Sequence, residues 1–321
     1  PFYNPAVQCV TRFFIGVTEN SQAAIGVLPR RPPCYRLGTG FKWTHILDVA
    51  AITSVRNDRI FLRKWIDYYG GLFGRDHLFV ILDGHDQEPP ENAAGVNLIR
   101  LPHKPVERLK GDARRARLIS DIARGLHRVM DVVIATDVDE FIVPDPARYA
   151  DLADYLSRAP RPGATVSGLG LDIGQHMELE AELDPAQPFL NQRRFAHVSA
   201  RYTKPSISYQ PVTWGSGIHR VKGRNFHIAP DLYHLHFGMV DYRLSTGKTA
   251  DADRLAAGWQ NHLARREALF GIITKAKPLN FDDYVPKARQ RQTWVRPIFA
   301  LNKPGMIPGD PVVELPERFR G

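Results

Sequence analysis

The chain alternates short apolar runs with longer stretches in which apolar residues recur every three or four positions. The run from Ile46 to Thr53 is rich in branched residues and predicts a buried strand. After Arg56-Asn57-Asp58, residues Ile60, Phe61, Trp65, Tyr68 and Tyr69 fall at helical spacing, which predicts an amphipathic helix over 58–70, ended by Gly70-Gly71. His77 to Leu82 predicts a second strand with the turn Asp83-Gly84 after it, and Val96 to Leu101 a third. Residues 111–128 predict a basic helix whose inner face is Ala116, Ile119, Ile122, Ala123 and Leu126. Val132 to Thr136 predicts a fourth strand, and 164–171 another, followed by loop and strands to about residue 240. A long helix is predicted over 251–276 through Leu255, Trp259, Leu263, Leu269, Phe270 and Ile273, and the last 40 residues, rich in Pro and Arg, are expected to wrap the surface. Strands alternating with helices predict an α/β domain with a largely parallel sheet. Ligands of such sheets bind outside the carboxyl ends of the strands, which would gather Asp58, Asp83 and Asp137–Glu140 at one edge.

This pattern divides 321 residues into an irregular segment 1–44, a main domain 45–245 and a C-terminal helix and tail 246–321. The hydrophobic fraction of 43% and charged fraction of 24% are those of an ordinary globule and exclude disorder, collagen and coiled coil. No stretch reaches about 18 uncharged apolar residues, so no transmembrane helix is expected. The chain opens on Pro1 without a signal-peptide pattern, which reads as a processed or trimmed end. Two cysteines, Cys9 and Cys34, make neither a disulfide framework nor a cysteine-rich zinc site, in keeping with a reducing cytoplasm.

Charge sharpens the picture because it is local. The net charge is +9 and the pI about 9.6. The helix region from His103 to Arg128 holds eight Lys or Arg against three acids, and residues 185–230 hold seven and no acid. Clustered cations imply an anionic partner: nucleic acid, a phosphate-bearing small molecule or an anionic membrane surface. The opposite extreme is Ile134-Ala135-Thr136-Asp137-Val138-Asp139-Glu140-Phe141, where a buried strand runs into three carboxylates. Like charges so close repel, and packing gives no reason for them. A divalent cation does, since hard oxygen ligands suit Mg²⁺ or Mn²⁺, which then grip phosphate oxygens. In an extended chain Asp137 and Asp139 would share a face. Asn57 and Asp58 are placed to cap a helix or to meet a ligand at its N-terminus, and Asp83 to close a turn or to accept from a ribose or base.

The order of these pieces resembles the family 2-like glycosyltransferases of GT-A fold. Asn57-Asp58 with Trp65…Tyr68-Tyr69 is similar to that family's opening motif, although Asp58 stands where the family usually has Glu. Asp83-Gly84-His85-Asp86 is similar to its acidic turn, and Asp137-Val138-Asp139-Glu140-Phe141 to its "DxDEF" signature in a short soluble branch. The likeness is good over residues 45–145 and thinner at Lys204-Pro205, at Trp214 to His219 and at Leu232 to His236. It implies a GT-A-like (Rossmann-like) α/β fold with a mixed, mostly parallel sheet flanked by helices, and a C-terminal helical and irregular extension.

The resemblance also implies a nucleotide-diphosphate sugar as donor, with a UDP-sugar the first expectation, and Mn²⁺ or Mg²⁺ as cofactor. Asp137 and Asp139 would hold the metal, Asn57, Asp58 and Asp83 would sit near base and ribose, and Arg114, Arg115 or Arg117 would face the phosphates. The acceptor would be a saccharide or glycolipid in surface polysaccharide or glycoconjugate synthesis. An inverting enzyme needs a carboxylate base, and Asp172, at the end of an apolar run, is the candidate, with Glu178, Glu180 and Glu182 as alternatives. His236 is the expected third metal ligand and His219 the expected phosphate or acceptor contact.

The location expected is cytoplasmic, with the basic tail (Lys287, Arg289, Arg291, Arg296) offering peripheral attachment to the inner membrane face. Nucleic acid is not expected as a partner, since no zinc finger, RNP pattern or recognition helix is visible. The alternatives are a metal-dependent nuclease or nucleotidyltransferase, and a non-catalytic protein binding carbohydrate or an anionic surface.

Overall fold

The structure, a computed structural model, describes residues 47–223, 226–249 and 260–320, with 248, 249 and 260–266 described by backbone alone. The readings of residues 1–44 as irregular, of Cys9 and Cys34, and of the start of the 251–276 helix lie outside the described residues.

Four strands come first: β1 (Val49–Val55), β2 (Leu78–Asp83), β3 (Asn97–Leu101) and β4 (Val132–Ala135), all mutually parallel in the order β3-β2-β1-β4. Their register, Ala51 beside Leu78 and Val49 beside Val132, brings the four carboxyl ends to one edge. Helix α1 (Arg59–Phe73) covers one face through Phe61, Leu62, Trp65, Ile66 and Tyr69, which pack with Val49, Ala51 and Leu78. Helix α2 (Arg108–Leu126) covers the other through Ile119 and Ala123, against Ile52, Ile81, Val133 and Ala135. Covering both faces explains why these strands read as unbroken apolar runs. Each large side chain so enclosed contributes about 1.5–3 kcal/mol.

Helix α1 does not end at Gly70-Gly71 as the sequence suggests. It runs to Phe73 and stops at Gly74, whose φ of 95° only glycine adopts easily and whose N–H caps the Gly70 carbonyl. Glycine inside a helix costs about 1 kcal/mol, less than the burial of this face supplies.

The second half is largely antiparallel. Strands β5 (Glu140–Pro144), β6 (Thr165–Gly174), β7 (Phe195–Val198), β8 (Ile207–Ser208) and β9 (Ile228–Met239) extend the sheet, with α3 (Leu152–Arg158) between β5 and β6. Strand β8 joins β4 to β6, while β9 lies antiparallel to β5 and parallel to β6. Helices α4 (Tyr242–Thr249) and α5 (Gln260–Lys275) follow, then β10 (Leu279–Asn280), α6 (Phe281–Trp294) and β11 (Val312–Glu314). The tail does more than wrap the surface, because β11 pairs antiparallel with β7 and buries Val312 and Val313. Eleven strands among the described residues thus form one mixed sheet flanked by helices, the Rossmann-like α/β arrangement. No described helix is long and apolar enough to cross a membrane.

Candidate active site

The edge made by the four parallel strand ends opens into a cleft of about 590 Å³. Asp58, Asp83, Arg114, Arg115, Asp137, Asp139, His219 and His236 all line it. Asn57, Arg117 and Asp172 do not.

The carboxylate motif folds as a tight turn. Strand β4 ends at Ala135, the Trp65 indole N–H donates to Thr136 Oγ1 at 2.9 Å, and Glu140 N donates back to the Asp137 carbonyl at 3.1 Å. The extended-chain argument for Asp137 and Asp139 is therefore replaced by a turn that still presents both to the cleft. Glu140, overlooked as a site residue, opens β5 and is almost wholly buried.

Lys204 compensates the motif. Its Nζ lies 2.9 Å from Asp137 Oδ2 and 2.6 Å from Glu140 Oε1. Arg115 Nη2 reaches Asp137 Oδ1 at 3.2 Å and Asp112 Oδ1 at 3.3 Å, so both Asp137 oxygens face cations. Burial opposes the charge on Glu140, but Lys204 and His234, whose Nε2 lies 3.1 Å away, hold its carboxyl well below the usual range. Burial likewise opposes the Lys204 ammonium, yet Asp137 and Glu140 keep its pKa above that of an ordinary lysine. Asp137 raises the pKa of Arg115, while burial raises that of Asp112.

Lys204 arrives from the long acid-free stretch by way of one glycine. A Cβ on Gly170 would stand 2.4 Å from the backbone of Ser199, Tyr202 and Thr203, so only glycine lets that segment lie against β6. The same approach lays the Tyr202 ring flat over His236, 3.9 Å between centroids and 10° from parallel. His234 and His236, two residues apart on β9, share one side of the strand and reach the motif separately: His234 meets Glu140, and His236 Nε2 lies 3.5 Å from Asp139 Oδ2. Asp172 stands behind His236, its Oδ1 2.5 Å from Nδ1, out of the cleft wall.

The other sequence candidates sort by geometry. Asp58 occupies the cap position of α1 without capping it, and its side chain lines the cleft. Asn57, with φ of 52°, donates its N–H to Gln87 Oε1 at 2.8 Å. Asp83 Oδ2 lies 3.1 Å from His103 Nδ1, and Arg56 donates to its carbonyl at 2.9 Å. Arg117 is exposed outside the cleft, whereas Arg114 and Arg115 line it with Arg108 nearly two turns earlier. His219 Nδ1 bonds the Arg201 carbonyl at 2.9 Å, and desolvation and the Lys204 charge lower its pKa to about 4.

Among the described residues no three His, Cys, Asp or Glu side chains converge as a metal-binding group. The donor chemistry at Asp139 and His236 nevertheless fits a hard divalent ion, which commonly takes one or two protein ligands and completes its shell with phosphate oxygens and water. A carboxylate on the far ring nitrogen, here Asp172, is the usual support of a metal-binding histidine.

No protein-family model matches the chain, and no curated protein matches it. Among solved structures it is similar to the mannosyltransferase PcManGT from Pyrobaculum calidifontis in complex with GDP-Man and Mn²⁺, at 13% identity over 76% of this chain and 80% of that one, with a TM-score of 0.32. It is also similar to the mannose-1-phosphate geranyltransferase from Thermus thermophilus, at 10% identity over 74% and 70%, with a TM-score of 0.27. The fold assignment above stands on strand order and not on these overlaps.

Proposed function

We propose that the chain is a metal-dependent glycosyltransferase that takes a nucleotide-diphosphate sugar in this cleft. The observation that carries the reading is the convergence of Asp58, Asp83, Asp137 and Asp139 with Arg114 and Arg115 at one strand-end edge, in a cleft of about 590 Å³. That volume lies within the range of small-molecule sites. Acids at the far strands suit hydroxyl and base N–H groups, and guanidinium groups suit phosphate oxygens.

Asp139 and His236 are the residues that would hold the metal, which when bound stabilises charge developing on the leaving diphosphate. Arg115 and Lys204 hold Asp137 in place and add positive charge beside it. In the transfer the anomeric carbon loses its bond to the diphosphate oxygen, which leaves with the electron pair, and gains one to the acceptor oxygen, whose proton passes to the departing diphosphate or to water. Asp172 serves this chemistry by fixing the His236 ring, because its carboxylate is turned to Nδ1 and away from the cleft. The acceptor is a saccharide or glycolipid.

The test is thermal stabilisation by UDP, GDP and CDP and by their sugar conjugates, each with Mn²⁺ and with EDTA. Binding at about 100 times the dissociation constant adds about 2.7 kcal/mol. One nucleotide should shift the melting temperature only with metal, and Asp139→Asn should abolish that shift and lower transfer about a hundredfold or more. No shift with any nucleotide, or cleavage of a polynucleotide in preference, would overturn the reading.

A further inference from the structure

Six of the thirteen exposed large apolar residues among the described ones fall between Trp294 and Met306. Trp294 is 77% exposed, Ile298 88% and Phe299 91%. The remaining seven are scattered over the chain, as single surface hydrophobes normally are. This loop is built to display them. Gly305 N donates to the Gln292 carbonyl at 2.8 Å, closing it onto the end of α6, and a Cβ on Gly305 would meet Val295 O at 2.2 Å. Arg296 donates to the Leu301 carbonyl at 3.1 Å, and Phe226 N donates to the same oxygen at 3.1 Å. The apolar side chains thus stand out from a braced turn.

Charge decides what covers it. From Tyr284 to Gly309 the sequence has five Lys or Arg and no Asp or Glu. Lys287, Arg291 and Lys303 are exposed around the apolar tip. A tryptophan, two bulky apolar residues and a stretch whose charges, between Asp283 and Asp310, are all cationic match the boundary of an anionic bilayer, where rings and aliphatic groups sink below the phosphates and long cationic side chains stay at them.

We propose that residues 294–306 are an interfacial anchor which inserts Trp294, Ile298 and Phe299 into an anionic leaflet while Lys287, Arg291 and Lys303 hold its phosphates. The inference does not rest on the transferase reading. It replaces attachment by charge alone with attachment by insertion plus charge.

The test is co-sedimentation of the whole chain with phosphatidylcholine vesicles and with phosphatidylcholine vesicles containing phosphatidylglycerol. The protein should pellet with the anionic vesicles. Ile298→Asp with Phe299→Asp should lower partitioning at least tenfold at low and high salt with the melting temperature unchanged, since both side chains are exposed. Lys287→Gln with Arg291→Gln and Lys303→Gln should weaken binding about fivefold per charge, at low salt only. The proposal is overturned if the wild-type chain stays in the supernatant with both vesicles, or if the Asp variant pellets as well as wild type. It is equally overturned if the exposed residues prove to hold a dimer that the Asp variant splits in sedimentation velocity.

Discussion

Two buried cations, Arg193 and Lys204, do opposite things with the same chemistry. Both side chains are nearly sealed, at 1% and 2% exposure, and both face carboxylates. Arg193 spends its donors inside the fold, on the carbonyls of Val240, Ala181 and Gln192 and on Asp241 Oδ2 at 3.0 Å. Asp241 is itself wholly buried and accepts from Leu183 N and Leu244 N. The pair is closed, so its charge does nothing beyond holding β7 and the end of β9 in register with their connecting loops. Lys204 instead shares itself between two carboxylates of the cleft lining, Glu140 at 1% exposure and Asp137 at 22%. A charge with one partner inside and one at the surface can transmit a structural demand to a ligand.

The comparison breaks first on stability. Arg193→Met would leave Asp241 buried without its cation, and breaking a buried pair costs about 3–5 kcal/mol, which lowers the melting temperature by on the order of 10 °C. Nucleotide binding by the fraction that remains folded should be unchanged. Equal loss of binding by folded protein would show that the closed pair is not merely structural.

Lys204→Met should cost less, because Glu140 keeps its contact with His234. The sign is diagnostic. In the wild type the Glu140 carboxyl lies below its ordinary value of 4.5, so it contributes stability above that pH and loses it as pH falls through the folded value. Without Lys204, burial loses its strongest opponent and the carboxyl rises towards its ordinary value, although His234 and His236 still hold it down, so the stability it lends above 4.5 shrinks. Melting temperatures should therefore fall less steeply below pH 4.5 in the variant than in the wild type. Parallel curves would remove Lys204 as the compensating charge.

A smaller effect separates Asp172 from a base. Asp172→Asn keeps shape and a partner for His236 but weakens the hold on its tautomer, so metal affinity should fall about 10–100-fold. If Asp172 is instead the acceptor's base, metal affinity stays and transfer alone collapses. Calorimetric titration of Mn²⁺ against the variant, beside its transfer rate, distinguishes the two.

How much of this was written in the sequence depends on the range of the interaction. The parallel half was legible because helix periodicity and apolar runs are local, and the acids at or just past the strand ends, Asp58, Asp83, Asp137 and Asp139, marked the cleft. Arg117 lies only about 60° around the helix from Arg114, so periodicity alone could not separate the two. Glu140 was visible as a third acid, but its burial depends on β9, nearly a hundred residues on. Lys204 left only a trace, as one cation in a stretch of 46 residues without an acid. Its approach required Gly170 to admit a backbone, which no pattern of charge or hydrophobicity reveals.

The least expected effect is at His219, and it tests whether that ring adds to the positive charge that Arg114, Arg115 and Lys204 bring to the cleft. With Nδ1 bonded to the Arg201 carbonyl and a pKa of about 4, the ring is neutral at pH 7. Nε2 is then an acceptor, suited to a hydroxyl and adding no charge to a diphosphate. His219→Gln should therefore change nucleotide-diphosphate affinity by no more than about threefold, the worth of one neutral hydrogen bond. The stability consequence has a fixed sign. An unfolded chain protonates this histidine near 6.5 and the folded chain only near 4, so the fold loses stability as pH falls between those values and keeps it above them. The variant should lose less stability than the wild type between pH 7 and 5. If an NMR titration shows the His219 ring charging above pH 6, burial does not hold it neutral and it joins the cations of this wall of the cleft.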